Sequence, residues 1–403
     1  MKNKVLLYIN SSQGELDWIF PIIVELLRKK YDVNIYFNTL DKNLIIKRGE
    51  VPYKLFKKFN ITTYTTLDFT KTKYFSDILL FIFTLLRRRD LGLKILNRLT
   101  NNYFNFFSNK FSKRIFNRVR PDLLFKDVGS DTNLRLELSK ILKINNGKTI
   151  IFPHGTEIFV ESRPKKNNYS GDLLLVSSNK MKSYYSEVFK DLPSSIIGIP
   201  RYDIKWLNLI KKNTNYPKTK KSKFKILFIT RGVHPIDLSN DDFNYLVNSM
   251  FDICNKSDDI ELLIRNHPRY PKSQLLEILS NYPNLNYRFE DSDLVILKDE
   301  INLVVSMWST MILDALFLNL PVIEFFKCRN NREWPKNDLG ELITGYEKNK
   351  IVISTKSKDD LSKFINETKE GDYAIYQSIF KNFKKIYNIE NSINKTMKAI
   401  TNN

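Results

Sequence analysis

Short apolar runs rich in β-branched residues alternate along this chain with longer segments of helical period, and this alternation constrains the fold more than any other feature. In the first half, helical patterns such as 18–30 and 133–144 lie between such runs. Strands that are apolar on both faces and separated by helices predict a parallel α/β sheet. The predicted strands of this half are 4–9, 32–37, 122–128, 149–152, 173–177 and 195–199.

The alternation stops at the polar, lysine-rich stretch 211–223, which we interpret as a linker, and then resumes. The predicted strands beyond it are 224–230, 260–265, 302–306, 321–325 and 350–354. We therefore expect an N-terminal domain over 1–210 and a C-terminal domain over 224–403, with the last helices able to pack back on the first domain. Two Rossmann-like parallel sheets joined in this way predict a cleft between the carboxyl ends of their strands.

Composition supports two globular domains and limits the kinds of molecule that the protein is expected to bind. The chain has 403 residues, too many for one ordinary core, and its net charge of +21 would attract phosphate groups, although lysines on solvated faces account for part of it. Cys254 and Cys328 lack metal-site spacing, which favours a reducing compartment. The N-terminus has no secretory pattern, and the longest apolar run, 78–86, is shorter than the ~20 residues of a membrane span. We expect a cytoplasmic protein.

All three histidines follow predicted strands. His154 comes after 149–152, His234 after 224–230 and His267 after 260–265. Any single one is explained by turn or capping contacts, but all three at strand ends favour a functional cleft.

Two arginines and two hydroxyl side chains stand near the same predicted edge. Arg231 and Arg265 carry the rigid guanidinium fork that matches phosphate oxygens, although surface solvation would also explain them. In 304–325 a strand ends at Ser306 and a helix begins near Ser309 and Thr310, where free backbone amides favour an anion. Ser309 is equally interpretable as an N-cap, and the two roles do not exclude each other.

The first strand–turn–helix, "INSSQGELDW" (9–18), offers a candidate base. Gly14 in the turn permits close approach of a ligand, and Glu15 is either a general base or a first-turn acid favoured by the helix dipole. The pair of acids in "EDSD" (290–293) precedes a helical stretch and fits a cap better than a metal clamp, so we expect no metal.

Five motifs resemble the CDP-glycerol glycerophosphotransferase family, a group that includes teichoic-acid polymerases and related surface-polysaccharide transferases. They are "PHGTE" (153–157), "GIPRYD" (198–203), "ITRGV" (229–233), "RNHP" (265–268) and "SMWSTMILDALFLNLPVIEF" (306–325). "SSQGE" (11–15) resembles the first loop of Kdo transferases, in which the glutamate is the expected base. The chain departs from the family at Pro153 and in "VSMWST", which favours a sugar donor over CDP-glycerol.

The resemblance implies a GT-B fold, a nucleotide-activated donor on the second domain, and neither metal nor cofactor. It implies catalytic roles for Glu15, His154 and His267. Gly14, Gly155 and His234 are expected in the cleft. The donor-binding set is Arg201, Arg231, Arg265, Ser306, Ser309, Thr310 and Glu324.

Three classes of function compete. The leading one is a metal-independent glycosyltransferase that moves a sugar from a CMP-, CDP- or UDP-linked donor to a glycan or lipid-linked acceptor of the cell surface, with a CDP-alditol phosphotransferase as a variant of it. An isomerase like the hydrolysing UDP-N-acetylglucosamine 2-epimerases needs further carboxylates, for which Asp17, Glu157 and Asp127 are available. Binding to nucleic acid rests on charge alone, and we expect none.

A basic segment over 87–120 suggests where such an enzyme would work. Ten lysines or arginines accompany a single acid, Asp90, and apolar residues recur near helical spacing. Such a helix either lies in an anionic membrane interface or packs its apolar face on the first domain. The first alternative predicts peripheral attachment to the inner face of the cell membrane.

Overall fold

The computed structural model describes residues 3–10, 13–39, 50–69, 108–129, 132–153, 170–187, 189–214, 223–267, 270–329, 334–387 and 390–401. These residues divide into two compact units. Those up to 209 together with 390–401 form the first unit, and those from 210 to 387 form the second. His154, Gly155, Glu157 and most of the segment 87–120 lie outside the described ranges.

The first unit contains a parallel sheet of seven strands. These are β1 (Lys4–Ile9), β2 (Asp32–Phe37), β3 (Thr62–Thr65), β4 (Leu123–Asp127), β5 (Lys148–Phe152), β6 (Leu173–Val176) and β7 (Ser194–Ile196). They are arranged in the order β3-β2-β1-β4-β5-β6-β7. The central strands are buried on both faces, as their unbroken apolar sequences predict.

Helices connect these strands. They are α1 (Gln13–Arg28), α2 (Glu50–Phe59), α3 (Ser108–Val119), α4 (Asn133–Ile144), α5 (Asn179–Ser186) and α6 (Ile204–Asn213). Short 3₁₀ turns lie at Thr66–Phe69 and Pro200–Tyr202. Because α6 continues to Asn213, residues 211–213 are helical rather than part of a linker, and 215–222 lie outside the described residues.

Helix α3 packs its apolar side into the core of the first unit. Phe111, Ile115 and Val119 are buried in one cluster with Tyr8 of β1 and Leu138 of α4. In this part of the segment 87–120, the apolar face is therefore covered by protein. The prediction that this face lies in a membrane is wrong for 108–119 and stays untested for 87–107.

The second unit contains a parallel sheet of six strands. These are β8 (Phe224–Ile229), β9 (Ile260–Arg265), β10 (Tyr287–Phe289), β11 (Leu303–Ser306), β12 (Val322–Phe325) and β13 (Ile353–Thr355), in the order β10-β9-β8-β11-β12-β13. The helices of this unit are α7 (Asn240–Asn255), α8 (Lys272–Leu279), α9 (Leu294–Leu297), α10 (Met311–Phe317), α11 (Gly345–Lys348), α12 (Lys358–Lys369) and α13 (Ala374–Ile386).

The last helix, α14 (Ser392–Thr401), belongs to the first unit. Asp203, which closes the "GIPRYD" motif, is buried and accepts a hydrogen bond from the Ile393 backbone N–H at 2.9 Å through Oδ2. Its Oδ1 accepts from the Lys205 backbone N–H at 3.0 Å. The motif's aspartate therefore joins α6 to α14.

Candidate functional site

The carboxyl ends of neighbouring strands bring the predicted site residues of the second unit together. Strands β9, β8, β11 and β12 are adjacent in the sheet, so the residues that follow them share one edge. This edge carries Thr230–Gly232 after β8, Asn266–His267 after β9 and Met307–Thr310 after β11. Ligands of open parallel sheets bind at this kind of edge.

Arg231 is held at this edge by two neighbours. Its Nη2 donates to Asp237 Oδ2 at 2.8 Å, and its Nη1 donates to the Trp308 carbonyl at 3.0 Å. The guanidinium carbon lies 4.1 Å from the centroid of the Trp308 ring, within the range of a cation–π interaction. The Arg231 side chain is nevertheless 22% exposed. A guanidinium fixed in this way is preorganised to meet an anion.

Trp308, whose ring lies against Arg231, has a strained backbone conformation. Its φ of 44° lies in the left-handed region, which non-glycine residues seldom adopt. The side chain is buried, and its ring centroid lies 4.7 Å from that of Trp334 and 5.6 Å from that of Phe326. This aromatic packing holds Trp308 in a conformation that costs about 1–3 kcal/mol, as is common at functional sites.

His267 is anchored to the loop after β8. Its backbone N–H donates to Thr230 Oγ1 at 3.1 Å, and the Thr230 N–H donates to the Arg265 carbonyl at 3.1 Å. A Cβ atom placed on Gly232 would lie 3.1 Å from His267 Nδ1. Glycine therefore permits the imidazole to pack against the backbone of the residue that follows Arg231.

Replacing Gly232 by alanine should move the His267 ring. The added methyl group is tighter against the imidazole than ordinary contacts allow, so the ring must shift by a few tenths of an ångström. Because the chain has only three histidines, NMR of the imidazole nitrogens resolves each one, and His267→Gln assigns the signal. We expect a changed His267 signal in Gly232→Ala. An unchanged spectrum would contradict the packing described here.

The Arg265 side chain is held by backbone carbonyls at the same edge. Its Nε donates to the Glu290 carbonyl at 3.2 Å, its Nη2 donates to the Ser292 carbonyl, and its Nη1 contacts Met311 Sδ at 3.3 Å. Burial lowers the pKa of the guanidinium, and the nearby acids, Asp293 foremost, oppose that shift. Arg265 therefore ties β9 to the turn after β10, so it is not merely a solvated surface cation. Its predicted contact with the donor stays a prediction.

The predicted helix after β11 begins where the sequence indicates. Ser309 Oγ accepts a hydrogen bond from the Met311 N–H at 3.3 Å, so this hydroxyl caps the helix. Helix α10 has only seven residues, and Thr310 makes no side-chain cap. Ser306 is completely buried, which corrects its prediction as a residue facing the donor. Anion binding at Ser309 and Thr310 stays a prediction.

Glu324 is likewise buried beneath the carboxyl edge of the sheet and is not exposed on it. This position corrects the prediction that Glu324 contacts the donor. The carboxyl is fully inaccessible, and its Oε2 accepts a hydrogen bond from Thr344 Oγ1 at 2.5 Å. Glu324 pairs in register with Ser306 on one side and Ser354 on the other, which forms a polar row across three strands. Burial, and secondarily the Glu347 carboxylate, raises the pKa of Glu324 to about 8.

His234 lies two residues from Gly232 and is half-exposed. Its backbone bridges to Leu238, and its Nδ1 accepts from the Ile236 N–H at 3.3 Å. The same nitrogen lies 3.6 Å from Asp237 Oδ2, the carboxylate that holds Arg231. Two of the three histidines thus stand at the carboxyl edge of this sheet, and His154 falls outside the described residues.

The remaining candidates belong to the first unit. Gly14 lies in the first turn of α1 and not in the loop before it, whereas Glu15 lies in that first turn as predicted. Glu15 is fully buried and its Oε2 accepts from the Asn10 N–H at 2.7 Å, which matches the first-turn acid of the two interpretations. Its role as a base stays a prediction. Arg201 lies in the 3₁₀ turn with its guanidinium carbon 5.0 Å from the Tyr202 ring centroid, and its donor contact is likewise untested.

Several residues of this edge were not predicted from the sequence. Thr230, Gly232 and Trp308 lie inside quoted motifs but were not chosen as site residues, and Asp237 lies in no motif; their importance follows from what they contact. Over the described ranges, no group of three or more His, Cys, Asp or Glu side chains is placed to hold a metal ion. No helix among those ranges is long and apolar enough to cross a membrane.

Two parallel α/β units of this kind define the class: the chain has the GT-B fold. It is similar to UDP-GlcNAc 2-epimerase from Neisseria meningitidis bound to UDP-GlcNAc, with a TM-score of 0.60, 12% identity, and coverage of 99% of this chain and 100% of the other. It is also similar to UDP-GlcNAc 2-epimerase from Methanocaldococcus jannaschii, with a TM-score of 0.60, 14% identity, and coverage of 99% of this chain and 100% of the other. For a glycosyltransferase from Rickettsia africae ESF-5, the TM-score is 0.56 and the identity 14%, with coverage of 100% of this chain and 99% of the other.

At such identities these similarities establish the fold alone. No family model matches the chain, and no curated protein matches it by sequence. The predicted GT-B fold is confirmed, whereas the resemblance to the CDP-glycerol transferase family stays a prediction.

Proposed function

We propose that this protein is a glycosyltransferase that takes a sugar or sugar-like unit from a nucleotide-activated donor. The observation that carries the proposal is Arg231, which is fixed by Asp237 and Trp308 at the carboxyl edge of the second sheet, where the His267 imidazole packs against the neighbouring Gly232. A guanidinium and an imidazole on adjacent strand-end loops suit the phosphates of a nucleotide sugar. One solved protein of the same fold was crystallised with UDP-GlcNAc, which supports that ligand class.

In this proposal, Arg231 and His267 stabilise the charge that develops on the leaving nucleotide phosphate. The acceptor is a surface glycan of the capsule, lipopolysaccharide or teichoic-acid type, free or lipid-linked. Glu15 or His154 takes the proton of the acceptor hydroxyl. We propose that neither a metal nor a cofactor takes part, since the guanidinium and imidazole groups supply the positive charge. Transfer of an alditol phosphate from a CDP-linked donor is a variant of the same scheme.

A sugar-nucleotide epimerase is the second candidate, because two of the similar structures are UDP-GlcNAc 2-epimerases. That chemistry needs carboxylates around the sugar, and Asp17, Glu157 and Asp127 are the ones the sequence offers. Asp127 is 2% exposed, and its Oδ1 lies 2.5 Å from Arg135 Nη2. A carboxylate held in a buried ion pair is poorly placed to move protons, which weighs against this candidate.

The decisive experiment is a binding screen by thermal shift in the presence of EDTA. CDP-glycerol, CMP-Kdo, and UDP- and GDP-linked sugars are compared, and the nucleotide that stabilises the protein identifies the donor. Arg231→Ala should weaken binding of that donor by about 10- to 100-fold, as expected for a charged hydrogen bond. Arg231→Lys should recover only part of the loss, because an ammonium lacks the planar fork.

Lys256→Ala is the matched control, because Lys256 is an exposed cation of the same unit that pairs with Asp252 at 3.0 Å and lies at the C-terminus of α7, away from the carboxyl edge of the sheet. It should bind the donor as the wild type does. Each ligand-induced shift is taken relative to the variant's own unliganded midpoint, because loss of Arg231 also leaves Asp237 uncompensated. Undiminished binding by Arg231→Ala would refute the assignment. Release of free sugar without any acceptor would favour the epimerase.

A further inference from the structure

The edge of the first sheet opposite its strand carboxyl ends carries a concentration of positive charge. Helices α1, α2, α3 and α4 each lead into a parallel strand, so their C-termini meet at the amino ends of β2, β3, β4 and β5. The last turn of each helix or the residues just after it are basic. One such cation per helix is ordinary, because it complements the helix dipole. The fold places four of these clusters side by side.

We call this surface the basic edge and define it by nine exposed cations. They are Arg28, Lys29, Lys30, Lys57, Lys58, Arg118, Arg120, Lys143 and Lys148. Among the described residues at this edge, four carboxylates lie near them, and each has a partner. Glu25 pairs with Arg28 at 3.7 Å, Asp32 accepts from Asn34 Nδ2 at 3.2 Å, Asp122 accepts from the Lys4 N–H at 2.7 Å, and Asp172 accepts from the Thr149 N–H at 2.7 Å. The basic edge is therefore strongly positive.

An aliphatic side chain stands within this field of charge. Ile144, the last residue of α4, is 81% exposed and lies next to Lys143 and four residues before Lys148. An exposed isoleucine is unremarkable by itself. Amid cations it has the chemistry of a residue that enters a lipid interface while its neighbours meet anionic headgroups.

We propose that the basic edge binds the surface of an anionic membrane. The interaction is electrostatic with Ile144 as a shallow anchor, because the apolar face of α3 is buried in the core and is not available for insertion. Nucleic acid would also be attracted by the charge, but it gains nothing from an exposed aliphatic side chain, and base stacking would call for aromatic ones. The inference concerns binding alone and holds whichever reaction the protein catalyses.

The test is co-sedimentation of the full chain with vesicles. Phosphatidylglycerol–phosphatidylcholine vesicles are compared with phosphatidylcholine vesicles at about 50 mM and about 500 mM salt, where screening differs strongly. We expect binding to the anionic vesicles at low salt only. Charge reversal at Arg118, Arg120, Lys143 and Lys148 together should lower the partition coefficient by at least about tenfold. Ile144→Ser should lower it severalfold without changing retention on heparin.

Reversal of Lys384 and Lys385 on α13 is the matched control, because both are exposed cations of the second unit. It should leave vesicle binding nearly unchanged. Circular dichroism checks that each variant is folded, and all substituted side chains are exposed. The proposal is overturned if the control loses as much binding as the basic-edge variant. It is also overturned if Ile144→Ser binds vesicles like the wild type.

Discussion

Replacing Glu324 by glutamine should stabilise the protein at alkaline pH, although the side chain is completely buried. Burial raises the pKa of the Glu324 carboxyl to about 8, and the Glu347 carboxylate acts in the same direction. Hydrogen bonds from Thr344 and Ser354 oppose the shift. The folded protein therefore holds the Glu324 proton more tightly than the unfolded chain does.

The sign of the effect follows from this difference. A carboxyl whose pKa rises on folding stabilises the protein below its unfolded pKa, and that contribution is lost as the pH rises from 4.5 to about 8. Glutamine has the shape of the protonated acid and carries no charge. Across this window the wild type should lose about 3–5 kcal/mol of unfolding free energy relative to Glu324→Gln. The unfolding free energies of the two proteins should be similar near pH 4.5 and should differ most above about pH 8.

Urea unfolding followed by tryptophan fluorescence measures this difference, because Trp308 and Trp334 report on the second unit and Trp18 and Trp206 on the first. Glu341→Gln is the control. Asn337 and Lys356 lower the pKa of the Glu341 carboxyl, so its titration ends below the window and its loss should not change the alkaline behaviour. If Glu324→Gln loses stability with rising pH as steeply as the wild type does, the buried proton is not on Glu324.

Most of the sheet architecture could be predicted from the sequence, because central strands are apolar on both faces. The two strands that the pattern missed, β3 and β10, lie at sheet edges. Their sequences, "TTYT" and "YRF", remain partly exposed, so no apolar run marks them. Gly14 was predicted to lie in a loop but lies in the first turn of α1. A glycine within a polar stretch occurs both in loops and at the start of helices, so the sequence does not distinguish the two.

The site could be predicted only in part, because identical residue types at equivalent strand ends serve different purposes. Arg231 and Arg265 both follow or end a strand and both are partly exposed, yet one is held by Asp237 and Trp308 and the other by the carbonyls of the turn after β10. Strand alternation decides which side chain points where, and a one-residue difference changes the outcome. Ser306 and Glu324 illustrate the same limit, since they lie at the last and the penultimate position of their strands and both are buried.

Breaking the buried ion pair of the first unit should be strongly destabilising. Arg135 and Asp127 are 1% and 2% exposed, and Arg135 Nη2 also donates to the Asp127 carbonyl. The guanidinium carbon lies 5.6 Å from the Tyr8 ring centroid. Asp127→Asn or Arg135→Met alone leaves an uncompensated buried charge and should cost about 3–5 kcal/mol. The double variant removes both charges and should recover most of that loss, which a double-mutant cycle in urea quantifies.

The same double variant tests whether Asp127 takes part in epimerisation, because stability and turnover respond to different properties of Asp127. If Asp127 moves a proton during epimerisation, the double variant folds but loses about 10²–10⁴ in turnover, since no refolding restores a missing carboxylate. If Asp127 serves only to neutralise Arg135, the folded double variant keeps its turnover with the donor found in the binding screen. We expect the second result for a glycosyltransferase. A well-folded double variant that binds the donor normally yet has lost turnover would instead assign Asp127 to the chemistry.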